Sequence, residues 1–445
     1  MSGYRGKILK LLEKSSCKIG DKVKIEGRDR TYKGILMPCT DMGDRDHLVI
    51  KLPSGYNIGV RVGERTNLSV VESMELPKLA IPKIEPEYDP NKPKVTIVGT
   101  GGTIACRVDY RTGAVYPAFT PEDLYNAVPE LASIANIRVV KACNVFSEHM
   151  TPDLWADIGK LVMTEINNGA NGVVIAHGTD TMGYTAAALS FMLQGLFRPV
   201  VMVGSQRSSD RPSSDATMNL ISAVTTAARS DIAEVTQVMH GSSEDDFCLI
   251  QRGTKVRKCH TSRRDAFQTI NDIPMGMVKG AGIKLFILDY NHANQSGKVS
   301  LDEKMERKVA LLKFTPGLSS DVLDKLIAAG YKGIVIEGSG LGHASKSLYA
   351  GINSAAKNGV PVVMTSQCIW GRVNMNVYST GRDLLRMGVI PGEDMLPEVA
   401  WVKLMWVLGQ TKDPEKISKL MSENIAGEIS SRSRPDVFLK PIYTL

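Results

Sequence analysis

From residue 94 onward the chain repeats one pattern. A short apolar run rich in β-branched residues gives way to a polar loop and then to a helix-length segment. Segments 95–98, 137–140, 172–176 and 199–203 read as strands, and 121–128, 152–167, 185–193 and 215–228 as helices. Thr120 and Thr151 occupy N-cap positions, each with a proline at the first helical position behind it. Alternation of this kind predicts an α/β domain on a mainly parallel sheet. A shorter unit of the same type follows, with strands at 308–312, 333–337 and 360–365 and helices at 320–329 and 346–358. The rest of the chain reads as amphipathic helices. The polar stretch NHANQSGKVSLDEK places the boundary between the two units near residue 300.

Ahead of this part, prolines stand at 77, 82, 86, 90 and 93 among charged residues. Proline fixes φ and removes a backbone donor, so 76–92 reads as an extended linker. It sets apart residues 1–75. There, after a predicted first helical turn, short alternating runs at 22–26, 31–37, 47–52 and 56–61 lie between turn residues. Several short strands in so small a module suggest a β-barrel, of a size that grips partners or nucleic acid about as often as it merely packs. The expected order is therefore a barrel at 1–75, a linker at 76–92, an α/β domain at 93–300 and a second at 301–445.

Composition narrows the class. Of 445 residues, 43% are hydrophobic and 23% charged, as in ordinary globular proteins of several domains. No apolar run approaches the eighteen or so residues of a spanning helix, so no membrane role is expected. A net charge of +7 permits contact with nucleic acid without requiring it. The seven cysteines form no Cys-x-x-Cys pair and their number is odd, which argues against a zinc cage or a disulfide framework. The histidines show no ligand spacing either, so no metal is expected. Reduced thiols and a start without signal-peptide features point to the cytoplasm.

In parallel α/β sheets, ligands bind beyond the carboxyl ends of the strands, so the loops there carry the chemistry. The first is Gly99-Thr100-Gly101-Gly102-Thr103-Ile104-Ala105. Ile104 spoils a dinucleotide fingerprint and no Gly-Lys-Ser/Thr follows, which leaves a tight turn presenting the Thr103 hydroxyl. The second is His177-Gly178-Thr179-Asp180-Thr181, which on its own reads as a helix cap. The third, 204–207 (GSQR), reads as architecture around a site. Lys258, in KVRKCHTSRRDAF, would ordinarily be solvated; buried against Thr179 it would lose its proton more readily and act as a base.

TGGTIA at 100–105 together with HGTDT at 177–181 resembles the paired signature of L-asparaginase and glutaminase-type amidohydrolases. That resemblance covers residues 93–445. The barrel, the linker and the segment DYRTGAVYPAFTPEDL extend it to the asparaginase-like glutaminase components of archaeal tRNA-dependent amidotransferases. The resemblance implies a two-domain asparaginase-like fold behind a small β-barrel. It also implies hydrolysis of L-glutamine to glutamate and ammonia, with no cofactor in this chain. The ammonia would pass to a partner protein, GatE, which uses ATP and Mg2+ to convert Glu-tRNA(Gln) to Gln-tRNA(Gln). A homodimer within an α2β2 heterotetramer is implied as well.

Residue by residue, the resemblance makes Thr103 a nucleophile on the side-chain amide carbon. It makes Thr179 a second threonine, with Lys258 as its base and Asp180 beside it, and leaves open which threonine acts in each step. Asp180 also matches a contact to the α-ammonium group and Ser147 a contact to the α-carboxylate. Glu148 falls where asparaginases commonly have Gln, a departure that would make the pocket more acidic. Tyr116, or alternatively Tyr110, matches a tyrosine of the loop after the first threonine. Backbone N–H groups of 101–103 and 178–179, including Gly102 and Gly178, would face an oxyanion. His177 is expected to order its loop. A free-standing L-asparaginase and a catalytically silent tRNA-handling module are the competing readings.

Overall fold

The computed structural model describes residues 3–27, 30–39, 44–54, 56–73, 88–101, 106–108, 115–117, 128–207, 213–294 and 296–438. Its centre is an eight-stranded sheet. From one edge, the order is Gly282–Leu285, Gly276–Lys279, Cys248–Arg252, Val235–His240, Val200–Val203, Gly172–Ala176, Lys94–Gly99 and Asn136–Lys141. The last five of these run parallel to one another, and the first three add as antiparallel strands. Gly172–Ala176 and Val200–Val203 are buried at every position. Continuous apolar runs suit strands covered on both faces. The helix Ala216–Arg229 covers one face, while Pro152–Asn167 and Met182–Met192 cover the other. Thr151 caps the helix Pro152–Asn167 as the sequence predicts, its hydroxyl accepting from the Leu154 N–H at 3.4 Å.

The strand order creates a crevice. Lys94–Gly99 is flanked by Asn136–Lys141 on one side and Gly172–Ala176 on the other. The chain leaves the first strand in one direction and then returns to its opposite side, so the loops at the strand ends part between Lys94–Gly99 and Gly172–Ala176. The register pairs Gly99 with Ala176, which starts the two signature loops side by side.

The second unit is a four-stranded parallel sheet of Val309–Lys313, Gly333–Gly338, Val362–Ser366 and Ile390–Pro391. The sequence suggests that the helix Pro397–Gln410 is amphipathic. It is instead buried almost all round, wedged between the units in a core shared by Trp155, Phe191, Val335 and Trp406. The reason is that its charges are paired inside. Lys403 and Glu428 form a fully buried ion pair at 2.6 Å, and Glu398 faces Arg257 at 3.6 Å. The segment read as one helix over 346–358 divides into a 3-10 turn, Lys346–Leu348, and the helix Tyr349–Lys357.

The N-terminal module is a small β domain, as expected. Its antiparallel sheet runs in the order Asn57–Arg61, His47–Lys51, Thr31–Leu36, Lys22–Glu26 and Asn67–Glu72. The last strand is not evident in the sequence, and the predicted helical turn is a full helix, Gly6–Lys14. Ile8 and Leu12 of that helix enter the module's core. The predicted helix over 121–128 lies outside the described residues apart from Val128, as does most of the linker. Where the linker re-emerges, Asn136 clasps it, donating to the Asp89 and Lys92 carbonyls and accepting from the Asp89 N–H. Among the described residues, no helix is long and apolar enough to cross a membrane.

Candidate active site

Both signature loops begin at the crevice. Thr100 donates its N–H and its hydroxyl to the Ala176 carbonyl, at 3.1 and 3.0 Å. The next residue, Gly101, has φ +105°, and a Cβ there would lie 2.5 Å from the Val145 carbonyl oxygen. Only glycine supplies both the conformation and the clearance. Thr103, Gly102 and Tyr110 lie outside the described residues. The backbone of Tyr116 pairs with Arg107 in a two-stranded hairpin.

The second loop is rigidly seated. His177 is fully buried; its Nδ1 meets the Gly178 carbonyl at 2.7 Å and its Nε2 the Thr185 hydroxyl at 2.9 Å. A carbonyl can only accept, so Nδ1 carries the proton and Nε2 accepts from Thr185. Thr185 in turn accepts from the Trp155 indole N–H at 3.0 Å. Burial pushes the His177 imidazolium down to about pKa 4, so the ring is neutral and orders the loop, as expected.

Ser147 sits in a 3-10 turn, Ser147–His149, directly against this loop. A Cβ on Gly178 would fall 2.8 Å from the Ser147 Cβ, so the glycine is what allows the approach. The Thr181 hydroxyl donates to the Ser147 carbonyl at 2.6 Å and ties the two segments together. Glu148, the next residue, is exposed.

Lys258 arrives from a separate element. Val256–Lys258 and Phe267–Thr269 form a two-stranded hairpin outside the main sheet. From it the ammonium of Lys258 reaches the Thr179 hydroxyl at 2.9 Å and the Asp180 carboxylate at 2.7 Å. Thr179 is buried, the Lys258 side chain is 15% exposed, and the Asp180 side chain is 68% exposed. A lysine that the sequence alone would leave in solvent is thus lodged between a buried hydroxyl and an open carboxylate. The structure brings Ser147, Gly178, Thr179, Asp180 and Lys258 together at the end of Gly172–Ala176.

Two supports back the site, one in the 204–207 loop that the sequence marks as architecture and one that the sequence does not mark. Gly204 ends the neighbouring strand, and a Cβ there would come within 2.9 Å of the Thr179 methyl carbon and 2.7 Å of the His177 carbonyl oxygen. Asp215, read as a helix start, is fully buried. Its carboxylate accepts the N–H groups of Gln206 and Arg207 and one from Asn219, which fixes the loop after Gly204. The glycine after an apolar run is the one sequence signal for the first. For the second there is none, because the contact joins residues that only the folded loop brings together. Among the described residues, no group of three or more His, Cys, Asp and Glu side chains stands ready to hold a metal ion.

Comparison with known proteins decides the family. The "Asparaginase, N-terminal" family matches residues 94–288, the "Glutaminase/Asparaginase C-terminal domain" residues 308–421, and the "GatD N-terminal domain" residues 17–71. The GatD component of glutamyl-tRNA(Gln) amidotransferase from Pyrococcus furiosus is 53% identical over 441 residues, covering 97% of this chain and 100% of that protein. This chain belongs to the GatD family of glutamyl-tRNA(Gln) amidotransferase components. The family member of Methanothermobacter thermautotrophicus is 52% identical, over 97% of this chain and 98% of its own length. Among solved structures, the thermostable L-asparaginase of Thermococcus kodakarensis matches at 35% identity with a TM-score of 0.68, covering 76% of this chain and all of that one. L-asparaginase I of Vibrio cholerae matches at 29% identity with a TM-score of 0.67, over 76% and 99%. The GatD family thus carries an asparaginase-like body behind its own small β domain.

Proposed function

We propose that this chain is the glutaminase component of the amidotransferase, releasing ammonia from L-glutamine for transfer to Glu-tRNA(Gln). The reading rests above all on the amine of Lys258 within hydrogen-bonding distance of both Thr179 and Asp180, at the switch point of a parallel sheet. An amide carbon needs a nucleophile, a base for its proton and donors for the oxyanion. In this mechanism the Thr103 hydroxyl attacks the side-chain carbonyl of glutamine. Thr179 and Lys258 relay the proton, which goes to the departing nitrogen, and ammonia leaves. Water then cleaves the acyl-threonine ester, giving glutamate and the free hydroxyl. Either threonine fits the role of attacker in a given step. Backbone N–H groups of 101–103 and 178–179 would face the developing oxyanion.

Substrate orientation follows the same assignment. Ser147 holds the α-carboxylate, Asp180 the α-ammonium group, and Tyr116 (or Tyr110) serves from the loop after Thr103. Glu148 adds negative charge at the rim next to Ser147. The ammonia goes to GatE, which supplies ATP and Mg2+ chemistry on the tRNA, in an α2β2 assembly located in the cytoplasm. The N-terminal β domain favours this reading over a free-standing asparaginase, since the solved asparaginases match only 76% of the chain and the GatD relatives nearly all of it. The test is co-purification with GatE, followed by ammonia release from glutamine with and without Glu-tRNA(Gln). Stimulation by partner and tRNA supports the proposal. Vigorous hydrolysis of free asparagine by the isolated chain would favour the alternative.

A further inference from the structure

We propose that Asp394, in the second α/β unit, is a positioning residue that sets where the Lys258 amine stands, so that the second unit controls the glutaminase site from behind. The inference rests on the assignment of Lys258 as the base.

The hairpin that carries Lys258 is two strands of three residues each and belongs to neither large sheet. Such a ribbon has little stability of its own, so its direction must be imposed by what it is tied to. Its base is closed by the Ile270 N–H on the Lys255 carbonyl at 2.8 Å. At that base both arms meet Asp394. From one arm, Lys255 donates to the Asp394 carboxylate at 2.8 Å, with the two side chains 1% and 2% exposed. From the other, the Asn271 amide donates to the Asp394 carbonyl at 2.9 Å and to the Gly371 carbonyl at 3.0 Å, and accepts from the Gly371 N–H at 2.7 Å. Asn271 has φ +60°, a conformation uncommon outside glycine, and these three bonds hold it there.

Asp394 is itself fixed within the second unit. Its other oxygen accepts from the Ser430 N–H at 2.9 Å and from Arg372 at 3.5 Å. One further tie runs from Arg257 of the hairpin to Glu398 at 3.6 Å. The first unit holds the middle of the hairpin, through Gln251 on the Phe267 carbonyl and the Thr269 hydroxyl at 3.3 and 3.2 Å and through Val256 and Phe267 in its core, and leaves the base to Asp394. Lys258 lies three extended residues beyond Lys255, about 10 Å along the strand. A tilt at the base is therefore carried to the amine. A displacement of about 1 Å in a reacting group costs on the order of a hundredfold in rate.

The test separates position from stability. Removing one partner of a buried ion pair strands the other charge, whereas replacing both by apolar residues of similar size is often neutral. The full-length chain, co-purified with GatE, is compared as wild type, Asp394→Asn, the double variant Lys255→Met/Asp394→Leu, and Lys258→Ala. The expected result is that the double variant folds, with a stability loss confined to the acceptor that the Ser430 N–H and Arg372 lose, and keeps a KM for glutamine within about twofold. Its kcat falls about tenfold to a hundredfold, its pH–rate profile is displaced, and its crystal structure shows the Lys258 amine moved off Thr179. Asp394→Asn, which keeps an acceptor for Lys255, falls between the double variant and wild type. A folded double variant with unchanged kcat and an unmoved Lys258 overturns the proposal. Lys258→Ala with full activity would instead overturn the base assignment, while the double variant's structure would still report whether Asp394 steers the hairpin.

Discussion

The amine of Lys258 stands 2.9 Å from the hydroxyl of Thr179, although the two belong to different layers of the molecule. Thr179 follows a central strand of the parallel sheet, and Lys258 comes in on an outlying hairpin. If this contact carries the proton of the attacking hydroxyl, Lys258→Ala should lower kcat for glutamine by roughly two to four decades. KM should change little. Steady-state kinetics on the full chain with its partner would check the split, and a variant with wild-type kcat would remove Lys258 from the chemistry.

Gly204 should be irreplaceable for a steric reason. A methyl group there meets the His177 backbone oxygen and the Thr179 side chain at distances no real Cβ adopts. Gly204→Ala should cost about 1–3 kcal/mol of stability as an overpacked site, with a loss of turnover in the material that still folds. Gly169→Ala is a control for surface glycine, with open space around its Cβ but a left-handed φ. It should leave turnover unchanged and cost only stability. Denaturant unfolding and glutaminase assays on both variants would check this.

His177 should make the protein sensitive to acid. Its pKa is pushed down to about 4 by burial, below the value of about 6.5 in an unfolded chain. Between those two values the unfolded chain binds a proton that the folded chain refuses, so stability falls as pH drops from about 6.5 to about 4 and is level again below that. The full effect is on the order of 3 kcal/mol. Thermal melts at pH 7 and pH 4.5 should show a larger drop for wild type than for His177→Gln. Equal drops would mean that the ring is not held neutral.

Much of this is legible in the sequence, for physical reasons. The strand Gly172–Ala176 is apolar on both faces, and Thr151-Pro152 starts a helix by the simplest capping rule, so the parallel core and its loop ends follow directly. The antiparallel extension over Cys248–Leu285 does not, because its strands are short and carry Arg252, Lys279 and Lys284, which in one dimension look like loop. The helix Pro397–Gln410 misleads for a related reason. Glu398 and Lys403 mimic a solvent face, yet their partners Arg257 and Glu428 are supplied by other elements. The site divides along the same line. Thr179 and Asp180 stand out as a motif, and Lys258 only through family resemblance. Gly204, Asp215 and Asp394 act through contacts that exist only once the chain has folded.

The most direct measurement is ammonia release from L-glutamine by the full chain with GatE and Glu-tRNA(Gln), comparing wild type with Thr103→Val and Thr179→Val. Both variants should fold and bind the partner as wild type does, and both should lose ammonia release by at least about two decades. Undiminished release from either folded variant would contradict the two-threonine account of the site.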